Sequence, residues 1–238
     1  MIKRIFIVFS FLFLFLTVVF PQKGLEWIPA CERSILDSLM NLSYTYNENY
    51  IPDSISLSNY ELNANERVNI TSKDGHFMVM FDIGPPFTQE DSIRYAKNND
   101  YILDRNLEHM SFVKSIVDKH YGKQHVENWQ DYVSYLSDVE AKAKFNADTA
   151  FYMSLPEKKY YSRYNYCKVL VIQKYNRGSL PMFFLYDDEG KENLEKHIAA
   201  MENSFRYGDD LPLKEKLDSE CIVRVIASPK QKKNAIIR

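Results

Sequence analysis

The sequence predicts an α+β fold in which an antiparallel sheet, built from an N-terminal hairpin and a C-terminal meander, packs with several helices, the last one amphipathic. Short β-rich runs separated by turn residues occur on both sides of a central stretch with helical periodicity. The 238 residues are 45% hydrophobic and 26% charged, with only 7 glycines and 9 prolines. This composition is typical of a globular protein and excludes a disordered or fibrous chain.

The first residues have the pattern of an export signal. Lys3 and Arg4 form a short positive start, and Ile5–Phe20 is an apolar run. This pattern predicts a signal peptide over residues 1–21 and an exported protein, periplasmic or secreted. Small residues that would mark a cleavage site are scarce after the apolar run, so a membrane anchor formed by residues 5–20 is the alternative.

A short helix and an irregular stretch are the first elements predicted after this segment. Ile35, Leu39 and Leu42 recur at helical spacing and predict an amphipathic helix over residues 31–43. Residues 47–65 are rich in Asn, Ser and Asp and predict irregular structure.

Two β-rich runs joined by turn residues then predict a hairpin. Glu66–Thr71 alternates between polar and apolar residues, Lys73–Gly75 contains an Asp-Gly turn, and His76–Ile83 reads as the second strand. Gly84–Pro86 ends this strand, because proline cannot donate a hydrogen bond to a sheet.

The central stretch has helical periodicity. Thr88 is a candidate N-cap for one or two helices that reach Tyr121, and Gly122 is a candidate C-terminal cap. Aligned apolar residues predict a further helix over 126–136. Ser137, followed by a glutamate three residues later, fits a capping box that opens another short helix.

The spacing of apolar residues changes from helical to strand-like in the C-terminal part of the chain. Three β-rich runs, Thr149–Leu155, Cys167–Tyr175 and Leu180–Tyr186, predict an antiparallel meander. The acidic residues Asp187–Glu189 then cap a final helix, which ends before Gly208. Its apolar stripe consists of Leu194, Ile198, Met201 and Phe205. We therefore predict a single domain over residues 25–207, followed by an extension over 208–238 with a candidate strand and a basic tail.

The sequence of elements at the C-terminal end resembles that of a known family. Residues 148–207 run strand, turn, strand and acid-capped helix, ending in Met201–Phe205 with a Ser-Phe pair. This order resembles the C-terminal half of PsbP-like domains. The resemblance implies an antiparallel sheet between helices. It also implies an exported or lumenal accessory protein that binds rather than catalyses.

Metal and cofactor sites are not predicted. His120 and His125, with Glu127 and Asp131 nearby, are the best candidate metal ligands. Zinc-binding helices place two histidines four residues apart on one face, whereas these are five apart with Gly122 between them. A solvated helix end is the better interpretation, and no motif for a nucleotide or for a catalytic triad is present.

The three cysteines allow several arrangements. Cys167 lies in a predicted core strand and is expected to be a buried free thiol. Cys31 and Cys221 lie near the two ends of the folded region, where a disulfide between them is conceivable. An odd number of cysteines leaves at least one unpaired or shared with another molecule.

The most unusual composition lies between Glu157 and Arg177, where basic residues alternate with tyrosines. Basic and aromatic side chains together favour recognition of an acidic partner, although a half-exposed hairpin whose tyrosines pack the sheet is the alternative. The candidate partner-binding residues are Lys159, Tyr161, Arg163, Tyr164 and Lys174.

Charge and motifs limit the function. The formal net charge of −2 lacks the basic surplus of a nucleic-acid binder. We therefore predict an exported, non-enzymatic binding or accessory protein of the cell envelope, for example an immunity-type protein, which recognises a protein or an envelope component. It would touch the membrane only through an uncleaved N-terminal segment. Two alternatives stay open: an exported hydrolase with dispersed His and carboxylate residues, and a structural subunit held at the membrane.

Overall fold

The computed structural model describes residues 35–45, 47–53, 68–81, 83, 104–160, 163–202 and 204–209. The strands are β1 Leu42–Tyr44, β2 Tyr50–Asp53, β3 Val68–Ser72, β4 Phe77–Phe81, β5 Ser134–Tyr135, β6 Thr149–Ser154, β7 Tyr166–Lys174, β8 Gly178–Tyr186 and β9 Phe205–Tyr207. The α-helices are α1 Glu108–Tyr121, α2 Asp138–Phe145, α3 Asp188–Glu192 and α4 Leu194–Glu202. Shorter helical turns are Ile35–Met40, Lys123–His125 and Trp129–Tyr132.

Several predicted features lie outside the described residues. They are the signal peptide or anchor over 1–21, Cys31, the N-terminal half of the helical stretch that begins at Thr88, Cys221 and nearly all of the C-terminal extension. The predicted domain boundaries of 25 and 207 therefore stay predictions.

Within the described residues, the main sheet has seven strands in the order β2-β3-β4-β8-β7-β6-β5, and each neighbouring pair is antiparallel. Strands β4 and β8 pair from Phe77 with Tyr186 to Phe81 with Met182, so the N-terminal hairpin and the C-terminal meander form one sheet. The predicted α+β fold class is confirmed. Strands β1 and β9 form a separate two-stranded sheet.

Other elements cover both faces of the main sheet. Successive side chains of a strand point to opposite faces, so each strand contributes to both. On one face, Phe77 and Phe81 of β4 lie in a core cluster with residues of α4 and β9. On the other face, Met78 and Met80 lie in a second cluster with residues of α1. This arrangement explains why β4 is buried along its whole length rather than alternating.

One predicted turn and one predicted helix cap are confirmed. The backbone of Gly75 has a φ of 80° in the β3–β4 turn, a conformation that glycine adopts without strain. The capping box at α2 is also present, because the Ser137 hydroxyl accepts a hydrogen bond from the Glu140 amide while the Glu140 carboxylate accepts one from the Ser137 amide.

Two predicted secondary structures are wrong for the same physical reason. Residues 126–136 do not form one helix, because Ser134 and Tyr135 pair with β6 and the Leu136 amide donates to the Ala150 carbonyl. Residues 47–65 are not wholly irregular, because Tyr50–Asp53 forms the edge strand β2. In both places a hydrogen-bonding partner strand decided the backbone, and local periodicity could not reveal it.

The final helix is shorter than predicted, and Phe205 does not belong to it. Helix α4 ends at Glu202, and Phe205 lies in β9 opposite Tyr44 of β1. The ring of Phe205 is 2% exposed and contacts Tyr44 and Phe81, with centroid distances of 4.5 and 5.0 Å. Phe205 is therefore a core residue, as expected, although it reaches the core from a strand.

Candidate partner-binding surface

In the loop between β6 and β7, residues 157–160 fold back on residues 163–165, and we call residues 157–165 the basic hairpin. Its described residues exclude 161 and 162. Tyr160 and Tyr164 exchange two backbone hydrogen bonds of 2.6 and 3.0 Å, and the Lys158 amide donates to the Asn165 carbonyl at 3.1 Å. These bonds give the hairpin a defined backbone although it lies outside the main sheet.

The two described tyrosines of the hairpin point into the protein. Tyr160 and Tyr164 are 0% and 1% exposed and belong to the core cluster beneath α1. The Tyr160 hydroxyl donates to the Pro156 carbonyl at 2.7 Å, and the Tyr164 hydroxyl donates to the Gly75 carbonyl at 3.2 Å. The prediction that Tyr164 is an exposed anchor for a partner is therefore wrong, since its apolar ring fills the core.

The cations of the hairpin point outward. Lys158, Lys159 and Arg163 are exposed. The Lys158 ammonium lies 5.3 Å from the centre of the Tyr160 ring, and the Arg163 guanidinium lies 5.6 Å from that of Tyr164. Each buried ring therefore supports a cation above it by a cation–π contact. Lys159 and Arg163 lie where a partner could reach them, whereas Tyr161 is outside the described residues.

Lys174 does not belong to this surface. It lies at the far end of β7 from the hairpin, about 27 Å from Tyr166 at the usual rise of a strand. Its side chain is 3% exposed, and its ammonium donates to the Asn146 carbonyl at 3.1 Å. The expected place of Lys174 on this surface is wrong, because the length of β7 separates it from the hairpin and the core encloses it.

The β3–β4 turn packs against the hairpin, a contact that the sequence did not indicate. A Cβ atom added to Gly75 would lie 2.8 Å from a guanidinium nitrogen of Arg163, which shows how closely the arginine covers the turn. Because β4 pairs with β8 and β8 with β7, this turn, the hairpin and the start of α3 lie at the same end of the sheet.

His76, in the β3–β4 turn, binds two carboxylates at the start of α3. Its Nδ1 lies 2.9 Å from Asp187 Oδ2, and its Nε2 lies 2.9 Å from Glu189 Oε2. The hydrogen bond to Asp187 raises the pKa of His76 above its ordinary value. The Asp-Asp-Glu sequence was interpreted only as a helix cap. That role is confirmed for Asp187, which accepts from the Gly190 amide at 3.0 Å.

These contacts do not suit His76 to acid–base catalysis. A general base needs a free ring nitrogen directed at its substrate, and both nitrogens of His76 face carboxylates. Elsewhere, His125 Nδ1 lies 2.6 Å from the Tyr132 hydroxyl, and His197 stacks on the Phe77 ring at 4.3 Å. Each of these three histidines therefore has a structural partner.

The part of the chain that the structure describes has neither a cluster of metal ligands nor a membrane-spanning helix. Among the described residues, no group of three or more His, Cys, Asp or Glu side chains is placed to hold a metal ion. None of the helices in that same part of the chain is long and apolar enough to cross a membrane.

Comparisons with known proteins show only a weak likeness of fold. No protein-family model matches the chain, and no curated protein sequence matches it. Among solved structures, the chain is similar to cyanobacterial PsbP (CyanoP) from Synechocystis sp. PCC 6803, with a TM-score of 0.34 and 12% identity. The match covers 71% of this chain and 87% of that one. The weak fold-level resemblance expected from residues 148–207 is present, and it carries no information on function.

Proposed function

We propose that this protein is an exported, non-enzymatic accessory protein of the cell envelope that binds an acidic protein surface through the basic hairpin. Both an immunity-type protein and an accessory factor would bind a partner in this way. The proposal rests on one observation: three cations, Lys158, Lys159 and Arg163, are presented outward on a loop whose described tyrosines are buried.

Burial of the tyrosines also favours a protein partner over a nucleic acid. Single-stranded nucleic acids bind by stacking their bases on exposed aromatic rings, and Tyr160 and Tyr164 offer no free ring face. The patch is small and the formal net charge of the chain is −2, whereas nucleic-acid binders usually carry a basic surplus. An acidic protein surface needs only a few well-placed cations.

The hairpin suits recognition because hydrogen bonds fix the backbone on both sides of its tip, at Lys158, Tyr160, Tyr164 and Asn165. The paired backbone of Tyr160 and Tyr164 and the hydroxyl contact with Gly75 hold the cations in place before a partner arrives. Binding therefore costs less conformational entropy than it would for a flexible loop. Exposed charges also accelerate association, and salt screens this attraction over about 8 Å at physiological ionic strength.

The proposal is tested by reversing the three charges together, Lys158→Glu, Lys159→Glu and Arg163→Glu. The control variant reverses Lys114, Lys142 and Lys196, three exposed lysines on α1, α2 and α4. Both variants change the net charge equally, so only the position of the charges differs. Tagged protein would be crosslinked in envelope extracts at low and high salt, and the captured proteins would be identified by mass spectrometry.

We expect the hairpin variant to fold normally and to lose a protein that the wild type and the control variant both capture at low salt. That protein should present an acidic surface, and its capture should fall as salt increases. If the hairpin variant, folded by circular dichroism, captures the same proteins as the control variant, the basic hairpin is not a partner-binding surface.

A further inference from the structure

The β3–β4 turn is held between the basic hairpin and α3, and this position connects the two. On one side, the Tyr164 hydroxyl donates to the Gly75 carbonyl at 3.2 Å. On the other side, the Asp187 amide donates to the His76 carbonyl at 3.3 Å. Gly190 of α3 approaches the same carbonyl so closely that a Cβ atom there would overlap it. The turn therefore contacts both neighbours through adjacent backbone carbonyls.

The charged groups around His76 come from four parts of the fold. Helix α3 and the residue before it supply Glu189 and Asp187, and the turn itself supplies Asp74. Against the effect of partial burial, the Gly190 amide and then His76 lower the pKa of Asp187, and the Arg163 guanidinium of the basic hairpin adds to this lowering. From α4, His197 faces Asp74.

Asp187 and Glu189 are not held equally. The Asp187 carboxylate is 20% exposed and also accepts the hydrogen bond from the Gly190 amide. The Glu189 side chain is 75% exposed, and its contact with His76 is made at the imidazole Nε2. A neutral imidazole carries one N–H and can donate to one carboxylate only. When the charged imidazole loses one of its two N–H protons, the contact with Glu189 is therefore lost rather than the contact with Asp187.

The same proton changes the charge beside the hairpin. When the imidazole is protonated, the charges of His76 and of the Asp74, Asp187 and Glu189 carboxylates sum to −2. When the imidazole is neutral, these charges sum to −3. This negative charge lies next to Arg163, where it opposes attraction of an acidic surface.

We propose that His76 is a proton-dependent latch, which joins the β3–β4 turn to Glu189 and thereby regulates how strongly the basic hairpin attracts an acidic partner. This inference rests on the proposed function. Protonation of His76 makes its contact with Glu189 and reduces the negative charge beside Arg163. Binding of an acidic partner is therefore stronger at lower pH.

The direction of the pH dependence follows from the contacts. The hydrogen bond to Asp187 raises the pKa of His76 above 6.5, so the change in affinity lies on the alkaline side of that value. A change of one unit charge about 8 Å from a charge on the partner, with part of the water between them excluded, alters the affinity roughly two- to fivefold. We expect this loss of affinity as the pH rises from about 6 to about 9.

The experiment measures binding of the full-length protein to poly-L-glutamate by fluorescence anisotropy across this pH range, at constant ionic strength. In parallel, NMR follows the imidazole of His76 to give its titration midpoint. Three variants are compared: His76→Gln, Glu189→Gln and the control Glu192→Gln. Glu192 is exposed on the same helix, so its replacement removes the same charge.

The inference is supported if the wild type binds more tightly at low pH and His76→Gln abolishes the dependence. Glu189→Gln should lower the titration midpoint of His76, whereas Glu192→Gln should leave it in place. Binding that is pH-independent, or whose dependence survives in His76→Gln, overturns the latch and leaves the proposed function standing. If both glutamate variants shift the midpoint equally, the latch is also overturned. Absence of binding at every pH overturns the proposed function and the latch with it.

Discussion

Replacement of Phe205 by alanine should destabilise the protein by about 4 kcal/mol. The ring is 2% exposed and lies between Tyr44 of β1 and Phe81 of β4, with centroid distances of 4.5 and 5.0 Å. Truncation of a buried phenylalanine to alanine usually costs about 3–5 kcal/mol, because apolar contacts are lost and a cavity remains. The lower end of this range applies where the surrounding structure can collapse into the cavity, which the two large rings beside Phe205 oppose.

A conservative variant separates volume from aromatic contact. Phe205→Leu retains most of the buried volume and loses the two ring pairs, so we expect a loss of about 1–2 kcal/mol. Tyr175→Ala is the control, because that ring is 63% exposed and surface changes usually stay within about 0.5 kcal/mol.

The free energy of unfolding would be measured by urea denaturation, followed by tryptophan fluorescence. An unchanged dependence on urea concentration would show that the variants unfold from equally compact states. If Phe205→Ala costs no more than Tyr175→Ala, then β9 does not dock on the main sheet as the structure shows.

Three further predictions concern other parts of the fold. Gly190→Ala should cost roughly 1–3 kcal/mol in urea denaturation, because the added Cβ overlaps the His76 carbonyl; an unchanged midpoint would refute this close approach. Cys167 is buried, so a thiol reagent should label it only after unfolding, and rapid labelling of native protein would contradict its burial. Burial, with Lys158 and Lys119 nearby, lowers the pKa of His120 to about 4. Below pH 6.5 the unfolded chain therefore binds the proton more readily, stability should decline toward pH 4, and His120→Gln should flatten that decline.

The contrast between Tyr164 and Lys159 shows how far the sequence could predict the site. Alternating basic and aromatic residues indicated an unusual surface, and Lys159 is indeed exposed. The same pattern could not tell which tyrosines face the core, because residues 157–165 form a hairpin outside the regular sheet. Lys174 was included because it is close in sequence, although a long strand carries it away from the hairpin.

His76 shows the opposite limit. Its carboxylate partners could not be predicted, since none of them lies near it in sequence. Its two carboxylates are more than one hundred residues away and arrive only because β4 pairs with β8, which ends where α3 begins. Pairing between strands distant in sequence produces such clusters, and a single sequence contains no local signal for them.

Local chemistry in the sequence determined the meander, the hairpin, the capping box and the acid-capped start of α3. Each depends on residues within a few positions of one another, so periodicity and turn chemistry were sufficient. Tertiary structure alone decided that Phe205 belongs to a strand, that β5 replaces a helix, and that His76 meets Glu189. These features depend on hydrogen bonds and packing between distant segments, whose combined free energy outweighs the weaker local preferences of the chain.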